Sequence, residues 1–138
     1  MATRRRAREA VLQMLFQLES TGDSPEAVLL SYRSSFGEGS IPEEFSIHLF
    51  TQIATHVAQI DHTITSASDN WRLERMSRVD RNILRIGVFE LTQTEVATPV
   101  KIVINEAVEL AKRFGAEESA AFVNGVLDRI AKDVGSPD

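Results

Sequence analysis

Phe45, Leu49, Ile53, Val57, Ile60 and Ile64 step by three or four residues along the chain, and this spacing constrains the fold more than any other feature. An α-helix gathers such positions on one face, whereas a strand would need strict alternation. The pattern predicts one long amphipathic helix. It starts beside Pro42, runs unbroken for more than six turns, ends between Ser66 and Asn70, and lays its apolar face on a core.

The same period recurs on either side. Val11, Leu15 and Leu18 form a first stripe, widened by Leu12 and Phe16, while Gln13 and Gln17 continue the polar face of Arg5, Arg6 and Glu9. Gly22-Asp23-Ser24-Pro25 ends that helix and starts a short one reaching about Ser35, with Ser24 as N-cap and Pro25 in the first helical position. The Phe36-Gly37-Glu38-Gly39-Ser40 stretch reads as a loop. Ser77-Arg78-Val79-Asp80 has capping-box spacing. It precedes a run from Ile83 to Leu91 so rich in apolar residues that its helix should be central. After Thr98-Pro99 a helix is expected from about Val100 to Phe114, with Gly115 suited to a left-handed C′ position. A last helix, from about Glu118 to Val134, would bury Phe122, Val123, Val126, Leu127 and Ile130. No alternating strand pattern outweighs these periods. The expectation is an all-α chain of about seven helices, one domain over residues 1–138 with a short flexible tail at 135–138, long enough for a single substantial core.

Charge is distributed unevenly. Arg4, Arg5, Arg6 and Arg8 precede any acid, so residues 9–138 carry −9 in a chain whose total is −5. Arginine forks phosphate and stacks on bases, which makes the cluster a candidate nucleic-acid foothold. A solvated charge run and a targeting sequence are the alternatives. A secretory signal needs an apolar stretch of about 7–15 residues, and the segment from Glu9 to Glu19 is interrupted by Gln and Glu. No run approaches the roughly 18 apolar residues of a membrane span, and the absence of cysteine excludes disulfides and thiolate metal sites. A soluble cytoplasmic protein is expected. Its acidity opposes indiscriminate nucleic-acid binding, so any such contact should be small, selective or shared with a basic partner.

Catalytic patterns are sparse. His48, His56 and His62 are spaced eight and six apart, which does not bring them together as helical metal ligands would be. Glu43-Glu44 and Glu117-Glu118 sit beside expected helix starts, where acids favour the macrodipole. There is no GxSxG, no phosphate-cradling glycine loop and no HExxH. No catalytic residue, metal or cofactor is therefore assigned. Phe114, at a helix corner, either seals the core or presents a ring to a base, and position alone favours the core; Phe122 poses the same choice. Trp71 reads as a packing anchor.

Ile104-Asn105-Glu106-Ala107-Val108-Glu109-Leu110-Ala111-Lys112-Arg113-Phe114-Gly115-Ala116-Glu117-Glu118-Ser119, followed by Phe122-Val123-Asn124-Gly125-Val126-Leu127-Asp128, resembles the signature of the NusB family of transcription antitermination factors. Ile83-Leu84-Arg85-Ile86 with Phe89-Glu90-Leu91 is similar to the family's central helix, and Arg4-Arg5-Arg6-Ala7-Arg8-Glu9 to its arginine-rich start. The resemblance implies two small helical bundles packed as one domain and no catalytic activity. It further implies binding of boxA RNA from ribosomal RNA operon leaders, together with the small-subunit ribosomal protein NusE and the transcription elongation complex.

By that resemblance the RNA surface comprises Arg4, Arg5, Arg6, Arg8, Gln13, Phe114, Gly115, Glu118 and Phe122, with Arg8 alternatively pairing acids of its own domain. The NusE-facing residues are Phe16, Glu74 and Asp80, whose charges suit a basic partner; Asp80 also has its capping role. Ala120-Ala121 stands where the family often has a basic residue before the Phe122 position, which implies weaker unaided RNA binding. Four phosphate contacts would give a log–log salt slope on the order of −3. Two rival readings remain. One is a protein-interaction module, as heterodimer subunit or homodimer, without RNA contact. The other is the helical domain of an RNA cytosine methyltransferase, for which the chain lacks both a nucleotide-binding sheet and a cysteine nucleophile.

Overall fold

Ser24 and Ser77 begin helices as their spacing predicts. The Ser24 hydroxyl accepts the Ala27 N–H at 3.2 Å and the Ser77 hydroxyl accepts the Asp80 N–H at 3.0 Å, each satisfying one donor that the first helical turn leaves over. The computed structural model describes residues 4–36, 43–68, 72–92 and 98–134. Of the loop expected at 36–40, Phe36 is helical and residues 37–40 lie outside the described stretches, as do Pro42, Trp71 and the tail at 135–138. Over the described residues the chain forms seven α-helices: α1 (Arg4–Thr21), α2 (Pro25–Phe36), α3 (Glu43–Thr55), α4 (Val57–Ala67), α5 (Arg78–Thr92), α6 (Val100–Phe114) and α7 (Ser119–Asp133). A single 3-10 turn, Leu73–Arg75, precedes α5.

The helices fall into two compact units, Met1–His56 and Val57–Asp138. In the first, α1 packs on α3 and α2, burying Val11, Met14 and Leu15 of α1 with Val28, Leu49, Phe50 and Ile53. Each such aliphatic side chain withdrawn from water contributes about 1.5–3 kcal/mol before entropy is counted. Gly22 ends α1 in the left-handed region, φ 72°, with its N–H on the Leu18 carbonyl at 3.0 Å.

The long helix expected from Phe45 to Ile64 is two helices. It breaks at His56, the last residue of the first unit. Two side chains there turn back on the preceding carbonyls: Thr55 Oγ1 donates to Thr51 O at 2.8 Å, and His56 Nδ1 lies 2.9 Å from Gln52 O. The backbone ladder reaches His56, whose N–H bonds Gln52 O at 3.0 Å, and a separate helix begins at Val57. Each helix buries its own part of the apolar period, Leu49 and Ile53 in α3 and Ile60 and Ile64 in α4.

In the second unit α5 is central, as its composition predicts, packing on α4, α6 and α7. Every residue from Asn82 to Glu90 is buried. Gly87 allows the close approach of α7, since a Cβ there would stand 2.7 Å from Leu127 Cδ1. No helix among the described residues is long and apolar enough to cross a membrane.

Candidate nucleic-acid interface

The first unit presents the arginine cluster as the opening turn of α1. Arg4, Arg5 and Arg6 are exposed, whereas Arg8, one turn further, is only 4% exposed. The guanidinium carbons of Arg4 and Arg8 lie 4.7 and 5.4 Å from the centre of the Phe45 ring on α3, within cation–π range. The four arginines are thus not equivalent: three reach solvent and Arg8 is built into the core edge. Gln13 is exposed further along α1. Phe16, which the periodicity assigns to the apolar stripe, is instead 40% exposed. On α2, Tyr32 is half-buried, and burial pushes its phenol above the ordinary value; the Arg6 charge opposes this and the Glu9 charge adds to it.

The second unit holds the α6–α7 corner. Phe114 is 36% exposed, not core, with the Arg113 guanidinium carbon 5.2 Å from its ring centre. Gly115 is not left-handed, as its C′ position predicts. Its backbone is extended at φ −94°, ψ −171°, and its N–H caps α6 on Ala111 O. The glycine is required for space: a Cβ would stand 2.6 Å from both Cβ and Oγ of Ser119 and 2.8 Å from Ala111 O. The buried Ser119 holds the corner by accepting the Ala116 N–H at 2.9 Å. Glu118, at the N-cap of α7, makes no side-chain cap bond and is exposed.

A groove of about 630 Å³ opens beside this corner. Met76, Ala116, Ala121 and Phe122 make it largely apolar, and its charged lining is mixed, with the carboxylates of Asp80 and Glu118 beside the guanidinium of Arg75. Asp80 Oδ1 is buried and has no hydrogen-bond partner among the described residues, so it is a desolvated acceptor. Next to Asp80, Arg81 donates from its guanidinium to the carbonyls of Leu73 and Met76 at 3.0 and 3.4 Å and ties the 3-10 turn to α5. Glu74 sits exposed on that turn.

The structure therefore brings Asp80, expected on the partner face, together with Glu118 and Phe122, expected on the RNA face. The periodicity gives Phe45 to the apolar stripe without its cation contacts, and it gives Arg81 and Ser119 no role. Nothing in the chain couples position 45 to positions 4 and 8, and Ser119 lies in the signature without a visible role until the corner closes on it. His48, His56 and His62 are all exposed.

A model of the NusB family matches residues 5–132. The transcription antitermination protein NusB of Sorangium cellulosum (strain So ce56) is 48% identical over 141 residues, spanning 100% of this chain and 98% of that protein. Among solved structures, T. maritima NusB superposes with a TM-score of 0.82 at 38% identity, covering 96% of this chain and 94% of that one. A chain in the crystal structure of antitermination factors NusB and NusE in complex with dsRNA gives a TM-score of 0.81 at 26% identity, covering 94% of this chain and 96% of its own.

Proposed function

Because this chain belongs to the NusB family, we propose that it is a transcription antitermination factor that binds boxA-type RNA of ribosomal RNA operon leaders together with NusE. It works as a binding protein and not as an enzyme, by holding RNA and a ribosomal protein beside the transcription elongation complex in the cytoplasm. The two units serve as one RNA-binding module. The observation that carries this reading is the family match from residue 5 to residue 132, which takes in Arg5, Arg6 and Arg8 of α1 and the Phe114–Phe122 corner.

Arg4, Arg5 and Arg6 supply phosphate contacts, because they are the exposed cations of the cluster. Arg8 supports them from its buried position. Gln13 adds a polar contact, and Phe114 and Phe122 offer ring surface against which a base can stack. Gly115 and Glu118 shape the backbone and rim between the two rings. Phe16, Glu74 and Asp80 face NusE, whose basic character the two acids complement. With three exposed arginines in play, the salt slope for single-stranded RNA is about −2, at about −0.7 per contact.

The test is a fluorescence anisotropy titration of a boxA-like RNA at several salt concentrations, with and without NusE, on the intact chain and on Arg5→Ala/Arg6→Ala. Affinity that rises with NusE, and a slope that flattens in the double variant, support the reading. RNA binding absent in both conditions overturns it in favour of a protein-interaction module, whose homodimer or heterodimer sedimentation would reveal.

A further inference from the structure

The opening turn of α1 is electrostatically unfavourable as a helix start. Arg4, Arg5 and Arg6 crowd positive charge onto the positive pole of the helix macrodipole, and the turn contains no acid to offset it. An isolated helix with this start would fray, and fraying would scatter the very cations that meet phosphate. The Phe45 ring on α3 counters this from outside the helix. It is half-buried, it attracts the guanidinium of Arg4 at 4.7 Å, and it attracts that of Arg8, one turn along, at 5.4 Å. One ring thereby grips two successive turns of α1. A cation held by the ring's π-face keeps its N–H donors for phosphate, so the grip and RNA binding do not compete for the same atoms.

We propose that Phe45 is a positioning residue for RNA binding: its ring clamps the first turn of α1 and so presents Arg4, Arg5 and Arg6 to phosphate as a preformed set. The proposal rests on the reading that these arginines meet RNA. Preorganisation of this kind raises affinity by removing an ordering cost from the binding step.

The test compares the full chain with Phe45→Leu, which keeps an apolar side chain and loses the π-face, and with Phe45→Tyr, which restores it. Binding to a boxA-like RNA is measured by anisotropy, and amide hydrogen exchange is followed along α1. Phe45→Leu should lower RNA affinity about fivefold, the equivalent of one exposed-to-partly-buried cation–π contact. It should also speed exchange at the amides of Arg8, Glu9 and Ala10, whose acceptors are the first-turn carbonyls, while leaving Val11 to Leu15 protected, and Phe45→Tyr should restore both. A double-mutant cycle with Arg4→Ala should show non-additive losses, since Phe45 acts through Arg4. Should Phe45→Leu fail to fold, Phe45→Met replaces it in the same cycle. Unchanged affinity in the Phe45 variant alongside weakened binding in Arg5→Ala/Arg6→Ala overturns the clamp and leaves the RNA reading standing. Unchanged affinity in the arginine variant overturns the RNA reading, and the clamp's role with it. Additive losses show that Phe45 is structural only.

Discussion

Arg85 on α5 grips Asp61 on α4 through two hydrogen bonds, Nε to Oδ1 and Nη2 to Oδ2, each 2.8 Å long. The remaining face of the guanidinium donates to Asn82 Oδ1 at 2.9 Å, and Asn82 in turn donates to the Arg78 carbonyl at 3.0 Å. The fork is the geometry that arginine makes and lysine cannot. The arginine side chain is 9% exposed and the aspartate 21%, so the two partners stand in unequal environments.

That inequality sets the first prediction. Asp61→Ala removes the counter-charge of a buried guanidinium and should cost about 3 kcal/mol, in the range for breaking a buried pair. Arg85→Met should cost less, because the carboxylate left behind can rehydrate. Urea unfolding at unchanged m-value ranks the two; an equal or reversed order refutes the argument.

Two glycines should fail for different reasons. Gly22 has φ 72° and open space around it, so Gly22→Ala costs about 1 kcal/mol of backbone strain and Gly22→Asn recovers part of it. Gly115 has ordinary dihedrals but no room, so Gly115→Ala should cost about 1–3 kcal/mol through overpacking and Gly115→Asn should be no better. Thermal denaturation of the four variants checks both patterns.

Arg8 and Arg5 should separate stability from binding. Arg8→Ala removes a side chain packed at 4% exposure against Phe45 and should destabilise by about 2 kcal/mol, as much through lost packing as lost charge. Arg5→Ala, on the exposed face, should leave stability within about 0.5 kcal/mol. Denaturation midpoints, measured beside RNA affinity, should show Arg8→Ala losing both and Arg5→Ala losing affinity alone.

Tyr32, the chain's single tyrosine, should titrate above pH 10. Its folded value is raised by burial, so above the unfolded value the native state holds the proton more tightly. The stability it contributes is therefore complete below pH 10 and is lost as pH rises through the folded value. Phenolate absorbance follows the titration directly, and Arg6→Ala should raise the midpoint further by removing a cation that favours the phenolate.

Several features were legible because their causes are local. Ser24 and Ser77 announce helix starts through bonds spanning three residues, and the Ile83 to Leu91 run announces a central helix because helical burial follows composition. The candidate site was legible only in part. Arg5 and Arg6 stand exposed as their polar face predicts, while Phe114, which position alone favours for the core and the family resemblance gives to the RNA surface, is 36% exposed. A corner residue's burial depends on what packs across it, which no periodicity records.

The sequence by itself determined the helical class, the helix order and the concentration of positive charge at one end, since each follows from spacing and side-chain type along a continuous stretch. Tertiary structure alone decided the rest. It broke the Phe45–Ile64 stripe at His56, where the chain passes from one unit to the next. It drew Asp80 beside Glu118 and Phe122, gave Gly115 a steric duty through Ser119, and divided the arginines by setting Phe45 against Arg4 and Arg8. Three of these four are packing relationships between residues far apart or on separate turns, and packing is a property of the space between elements, which a one-dimensional pattern does not contain.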